Sequence, residues 1–205
     1  MIWVCSSLVS FLDGGLPSTN LTSLEITNCK TLEALPNHMQ NLTSVRRLTI
    51  ENYLNIKSFP ENGFPTNLIS LEIANLKIFD MLFRWGLHRL TYLRELYMEG
   101  CPDVVSFPLD ERGIMLPTSL TSLSIKDFPN LECLSAIILS LNSMEKLHLV
   151  KCPKLKYFPE KGLPLLSELY IDCCPLLEQK CKEDRGQYLS MISHIPAIWI
   201  NNDWL

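Results

Sequence analysis

At 205 residues, 47% apolar and 20% charged, the chain is long enough to bury a core and too apolar to be disordered. A net charge of −4 leaves no basic stripe for a nucleic acid, and no apolar run reaches the roughly 18 residues that span a bilayer. Leucine occurs 37 times, an excess that needs a structural reason.

The first twelve residues, MIWVCSSLVSFL, are apolar, but no lysine or arginine precedes them and no small-residue cleavage site follows, so they do not read as a secretory signal. From Leu21 onward the chain repeats. Segments starting at Leu21, Val45, Leu68, Leu93, Leu120, Met144 and Leu166 read LTSLEITNC, VRRLTIENY, LISLEIANL, LRELYMEGC, LTSLSIKDF, MEKLHLVKC and LSELYIDCC. Each carries an aliphatic residue at offsets 0, 3 and 5 (methionine at two places) and Cys or a bulky apolar residue at offset 8. The starts lie 22 to 27 residues apart, which matches the leucine-rich-repeat pattern L-x-x-L-x-L-x-x-N/C-x-L.

The second half of each unit is regular as well. Offsets 11 and 14 hold Leu32 and Leu35, Ile56 and Phe59, Phe79 and Leu82, Val104 and Phe107, Leu131 and Leu134, then Leu155 and Phe158. Proline follows offset 14 at Pro36, Pro60, Pro108 and Pro159, where it turns the chain. Counted backward, Cys5, Leu8 and Phe11 fit offsets 8, 11 and 14 of an earlier unit whose strand would be missing. The chain then reads as truncated, with Leu21–Ile26 an unpaired edge strand prone to self-association.

Side chains alternate across a strand, so offsets 3 and 5 point inward and neighbouring units must stack to cover them. The expected fold is an α/β repeat solenoid: a leucine-rich-repeat arc with a parallel concave sheet, about seven complete repeats and one partial N-terminal repeat. Residues 1–20 form the partial repeat and turn, 21–177 the repeats, and 178–205 a C-terminal cap, helical in part. Within the cap, Tyr188, Met191, Ile192 and Ile195 have helical spacing, and Pro196 is expected to end the helix.

Of the eight cysteines, Cys5, Cys29, Cys101, Cys152 and Cys174 are expected at the inward offset 8, as reduced, small hydrophobic residues. Cys173 is expected to be the more exposed of its pair. The sequence has no C-x-x-C pair, no zinc-type Cys/His spacing, no phosphate loop, no G-x-G-x-x-G, no H-E-x-x-H and no G-x-S-x-G. We therefore expect no enzyme, no cofactor and no metal. The candidate surface is offsets 2, 4 and 6, where seven of 21 side chains are acidic and three basic. Arg47, Glu72, Glu95, Tyr97, His148 and Tyr170 are the candidate protein-binding residues, with Tyr97, His148 and Tyr170 in a row at offset 4.

The stretches CPDVVSFPLDERGIMLPTSLTSLSI, FPNLECLS, CPKLKYFPEKGLP and CPLLEQKCKEDRGQYLSMISHIP resemble the C-terminal leucine-rich repeats of plant coiled-coil, nucleotide-binding, leucine-rich-repeat (NLR) disease resistance proteins. The resemblance runs from about Ser7 to Ile200. It departs at Tyr188, Leu189 and Ser190, where the family often has Tyr-Trp-Pro. It implies a cytoplasmic module of plant innate immunity for recognition and autoinhibition. Its partners would be a pathogen effector, a guarded host protein or the nucleotide-binding switch module. Two other readings stand beside it. An extracellular leucine-rich-repeat receptor is favoured by sequons at Asn20 and Asn41 but lacks L-x-G-x-I-P. The substrate-binding repeats of a ubiquitin-ligase adaptor also favour Cys at offset 8, but would continue into I-T-D-x-x-L.

Overall fold

The computed structural model describes residues 2–4, 10–11, 16, 20–29, 31–51, 63–75, 86–108, 116–164, 166–183, 187–201 and 203–204. The chain divides into two compact units, Met1–Tyr97 and Met98–Leu205.

In the first unit, β1 (Ile2–Val4), β2 (Ser23–Thr27), β3 (Arg47–Glu51), β4 (Ser70–Ala74) and the start of β5 (Glu95–Glu99) line up in chain order. Pairing is parallel, with Leu24, Leu48 and Leu71 in one row and Ile26, Ile50 and Ile73 in the next. All six are at most 1% exposed. Burying one such side chain contributes on the order of 1.5–3 kcal/mol, so these rows carry the stack. The alternation puts offsets 2, 4 and 6 on the other face, half-buried or exposed, with Ala74 the exception: it is buried.

The second unit repeats this plan. The end of β5 is followed by β6 (Ser106–Phe107), β7 (Ser122–Lys126), β8 (Cys133–Leu134), β9 (Lys146–Val150) and β10 (Glu168–Asp172). Strands β7, β9 and β10 pair in parallel, while β6 and β8 form a separate small sheet from offsets 13 and 14. Cys133 continues that sheet by a bridge to Tyr157. The parallel-strand solenoid of stacked coils that the repeats demand is thus present in each unit. At offset 14, Leu35, Phe107, Leu134 and Phe158 are buried. Ile56, Phe59, Pro60, Phe79 and Leu82 lie outside the described residues.

The expectation for the N-terminus is corrected. β1 pairs with β2 through Ile2 with Leu24 and Val4 with Ile26, so a strand precedes Leu21 and Leu21–Ile26 is not an unpaired edge. This register lies two positions away from the one that Cys5 suggested. Cys5 and Leu8 lie outside the described residues.

Six of the repeat strands end in a left-handed residue at offset 7: Asn28, Asn75, Gly100, Asp127, Lys151 and Cys173 all have φ between 53° and 72°. Asn, Asp and Gly tolerate this region, whereas other side chains crowd the following carbonyl. The turn aims the backbone N–H at the next coil, as in Asp127 N–H to Val150 O (2.9 Å) and Lys151 N–H to Asp172 O (2.9 Å). One residue later the buried cysteines donate their thiols back to the offset 6 carbonyl, Cys29 to Thr27 at 3.4 Å, Cys152 to Val150 at 3.5 Å and Cys174 to Asp172 at 3.4 Å. A small apolar residue with a weak donor suits that position. Phe128 occupies it in one coil and packs edge-on against Phe107, with centroids 6.3 Å apart.

The C-terminal stretch is more ordered than one capping helix. α1 (Pro175–Glu183) opens with proline at its first turn, and Glu178 Oε1 accepts from the N–H of Cys174 at 2.7 Å. α2 (Gln187–Ile192) ends three residues before Ile195, so the expected stop at Pro196 is corrected: the chain has already turned at Ser193 and His194. β11 (Ala197–Ile200) then pairs in parallel with β10, and β12 (Asp203–Trp204) folds back antiparallel on β11. Gly162 (φ 85°) lies against this cap, where an added Cβ would meet Met191 O at 3.3 Å.

Candidate functional site

The exposed face of the strands gathers the candidate residues into two groups. In the first unit, Arg47 stands in register between Ser23 and Ser70, and Thr49 between Glu25 and Glu72. Together with Glu95 they line an open groove of about 620 Å³. Arg47, Glu72 and Glu95 are thus brought together, and Glu25 joins them. The neighbouring Arg46 has a structural task, its Nη1 donating to Asn67 O at 3.1 Å and Thr43 O at 3.3 Å. Arg47 is exposed and ion-pairs with none of the described residues. Tyr97 is half-buried on β5 and does not line the groove.

In the second unit, register places Lys146 beside Glu168 and His148 beside Tyr170. The Glu168 carboxylate bridges both basic side chains, with Oε2 at 3.0 Å from Lys146 Nζ and Oε1 at 2.9 Å from His148 Nε2. The hydrogen bond from Lys146 holds the Glu168 carboxyl below its usual range, with His148 adding to the effect against partial desolvation. The His148 and Tyr170 rings are 5.6 Å apart, tilted by 60°. On β7, Lys126 pairs with Glu99 at 3.2 Å. The row at offset 4 therefore runs Ser124, His148, Tyr170 and onto Trp199 of β11, which is 38% exposed. The expected row joined Tyr97 to His148 and Tyr170; the latter two are in contact, and Tyr97 belongs to the first unit.

Trp199 lies on a strand where the sequence leads one to expect a partly helical cap. The signal was there: Ile195, Ile198 and Ile200 repeat the 0, 3, 5 spacing 29 residues after Leu166, which puts Trp199 at offset 4.

Burial pushes the Cys101 thiol up to about 12 and that of Cys181 to about 11, and Cys174 is raised by its hydrogen bond with Cys152 and by burial. These thiols are neutral at physiological pH, which suits packing. Cys173 is exposed, as expected from its place beside Cys174. No helix among the described residues is long and apolar enough to cross a membrane. The strand face offers ion pairing, hydrogen bonding and aromatic contact, the means of protein docking.

No family model matches the chain. It is 35% identical over 195 residues, 94% of its length, to the Arabidopsis thaliana disease resistance protein At3g14460. It is 28% identical over 212 residues to the Arabidopsis disease resistance protein RPS4B, covering 86% of this chain. To TMV resistance protein N of Nicotiana glutinosa it is 26% identical over 193 residues, 84% of this chain. The chain spans only 13%, 18% and 15% of the length of these relatives. The chain's homologues over most of its length are thus plant disease resistance proteins, and its stacked parallel strands are consistent with a leucine-rich-repeat region of such proteins.

Proposed function

We propose that the chain is a recognition and autoinhibition module of plant innate immunity, acting by binding proteins and not by catalysis. Its partners would be a pathogen effector, a guarded host protein or the nucleotide-binding switch module of an NLR receptor, met in the cytoplasm. Kinship with disease resistance proteins supports the role in defence. The observation that carries the binding reading is the strand face itself. Its side chains project from a backbone whose hydrogen bonds are already spent between coils, so the surface is rigid before a partner arrives. Arg47, Glu72 and Glu95 would supply charge at one group, with His148, Tyr170 and Trp199 supplying aromatic contact at the other. Tyr97 would add a further aromatic anchor on β5.

The test is co-expression in leaves of the tagged chain with an autoactive, repeat-less form of a matching receptor. Co-precipitation of the two, with reduced cell death, is the expected result. No co-precipitation and undiminished cell death would contradict the proposal.

A further inference from the structure

The second unit carries another built surface, on the side of the short strands β6 and β8. Two hollows meet there at Phe158 and Glu160. One, of about 630 Å³, is walled mainly by Leu134, Leu139, Phe158 and Pro159, with Lys161 at its border. The other, of about 460 Å³, is lined by Tyr157, Lys180, Tyr188 and Met191.

Three lysines, Lys156, Lys161 and Lys180, surround these hollows, against Glu160, which lines both, and Glu132, which acts on Lys156 and Tyr157. Lys180 Nζ sits between two tyrosines, 4.6 Å from the Tyr157 ring centroid and 4.9 Å from that of Tyr188. Lys156 Nζ lies 5.1 Å from the Tyr157 centroid. Ring faces hold these ammonium groups without neutralising them. Among the described residues, Lys156, Lys161 and Lys180 form no ion pair. The field shows in Tyr157, whose hydroxyl is held below its usual range by its hydrogen bond with Lys156 and by the Lys156 and Lys180 charges. Tyr157 is also 44% exposed, in a chain whose net charge is −4. An apolar hollow, an exposed aromatic and a basic rim are what an interface core and its steering charges require.

We infer that this double hollow docks an acidic protein segment. An apolar side chain would rest against Leu134 and Phe158, with carboxylates on either side facing Lys156, Lys161 and Lys180. Glu160, the one acidic lining residue, would disfavour a second carboxylate at the junction of the hollows, which sets the apolar group there. This surface is separate from the strand face and does not depend on its role.

The experiment is fluorescence polarisation of the full chain with a peptide series in which one to three apolar residues are flanked by glutamates. A lysine-flanked series and phosphatidylserine vesicles are run in parallel. Glutamate-flanked members should bind, at least tenfold tighter at 50 than at 300 mM salt, and at least tenfold weaker to Lys156→Glu/Lys161→Glu. Both of those positions are exposed, so the variant should fold, and circular dichroism verifies that it does. As a second variant, Leu139→Ser should weaken binding without changing the salt dependence. The inference is overturned if no glutamate-flanked peptide binds, if lysine-flanked peptides bind equally, or if the lysine variant binds like wild type. Binding to vesicles and not to peptides would overturn it in favour of a membrane surface.

Discussion

The left-handed residue that closes six of the repeat strands makes a quantitative prediction at Lys151. Its φ is 53°, its side chain is exposed, and its N–H donates to Asp172 O at 2.9 Å. A non-glycine side chain in this region costs about 1–2 kcal/mol. Glycine removes that strain but gives back about 0.5–1 kcal/mol of backbone entropy. Lys151→Gly should therefore stabilise the fold by about 0.5–1 kcal/mol, or about 1–4 °C in Tm for a chain of this size. Lys151→Asn should gain less, and Lys151→Val should lose at least about 1 kcal/mol, because a branched Cβ crowds the turn further. Urea unfolding monitored by circular dichroism reads this as a shift in midpoint at constant slope. A Lys151→Gly midpoint at or below wild type, with Lys151→Val unchanged, would refute the steric argument.

Three further outcomes follow from the packing and the charges. Leu147→Ala, at a side chain 0% exposed between Leu123 and Leu169, should cost about 3–5 kcal/mol in the same unfolding assay. The folded-state Glu168 carboxyl is held below its ordinary 4.5, so its contribution to stability is present above that pH and is lost as pH falls through the lowered value. Unfolding midpoints measured from pH 6 to pH 3 should accordingly fall more steeply for wild type than for Glu168→Gln. A thiol-specific maleimide should label exposed Cys173 before buried Cys101, Cys152 and Cys174, and Cys173→Ser should remove the Cys173 component from a mass-resolved time course. Labelling should remain slow at neutral pH, since the Asp172 side chain raises the Cys173 thiol.

The strands were legible because two periods agree in them. Leu24 and Ile26 alternate as a strand requires, and Leu48, Ile50, Leu71 and Ile73 repeat them at a coil's distance. At the N-terminus, placing Cys5 on the template gives a register two positions away from the observed pairing of Ile2 with Leu24 and Val4 with Ile26. The left-handed turns were hidden because Lys151 and Cys173 stand where Asn, Asp or Gly would announce them. At the strand face, offsets alone brought Arg47, Glu72 and Glu95 together and set His148 beside Tyr170. Glu168 as their neighbour's bridge needed the register, since it lies 20 residues from His148 in the chain. Tyr157 and Lys180 are brought together by a helix folding back on the coils, which no repeat period encodes.

Titration of the chain against a matching nucleotide-binding switch module tests the central claim most directly. Wild type is compared with Tyr170→Ala/Trp199→Ala on the strand face and with Val105→Ser, an exposed site away from it. If the strand face is the recognition surface, the aromatic pair should weaken Kd by at least about thirtyfold, the loss of roughly 2 kcal/mol expected of interface anchors, and Val105→Ser should change nothing. Unchanged affinity in the aromatic variant, with loss in Val105→Ser, would contradict the account.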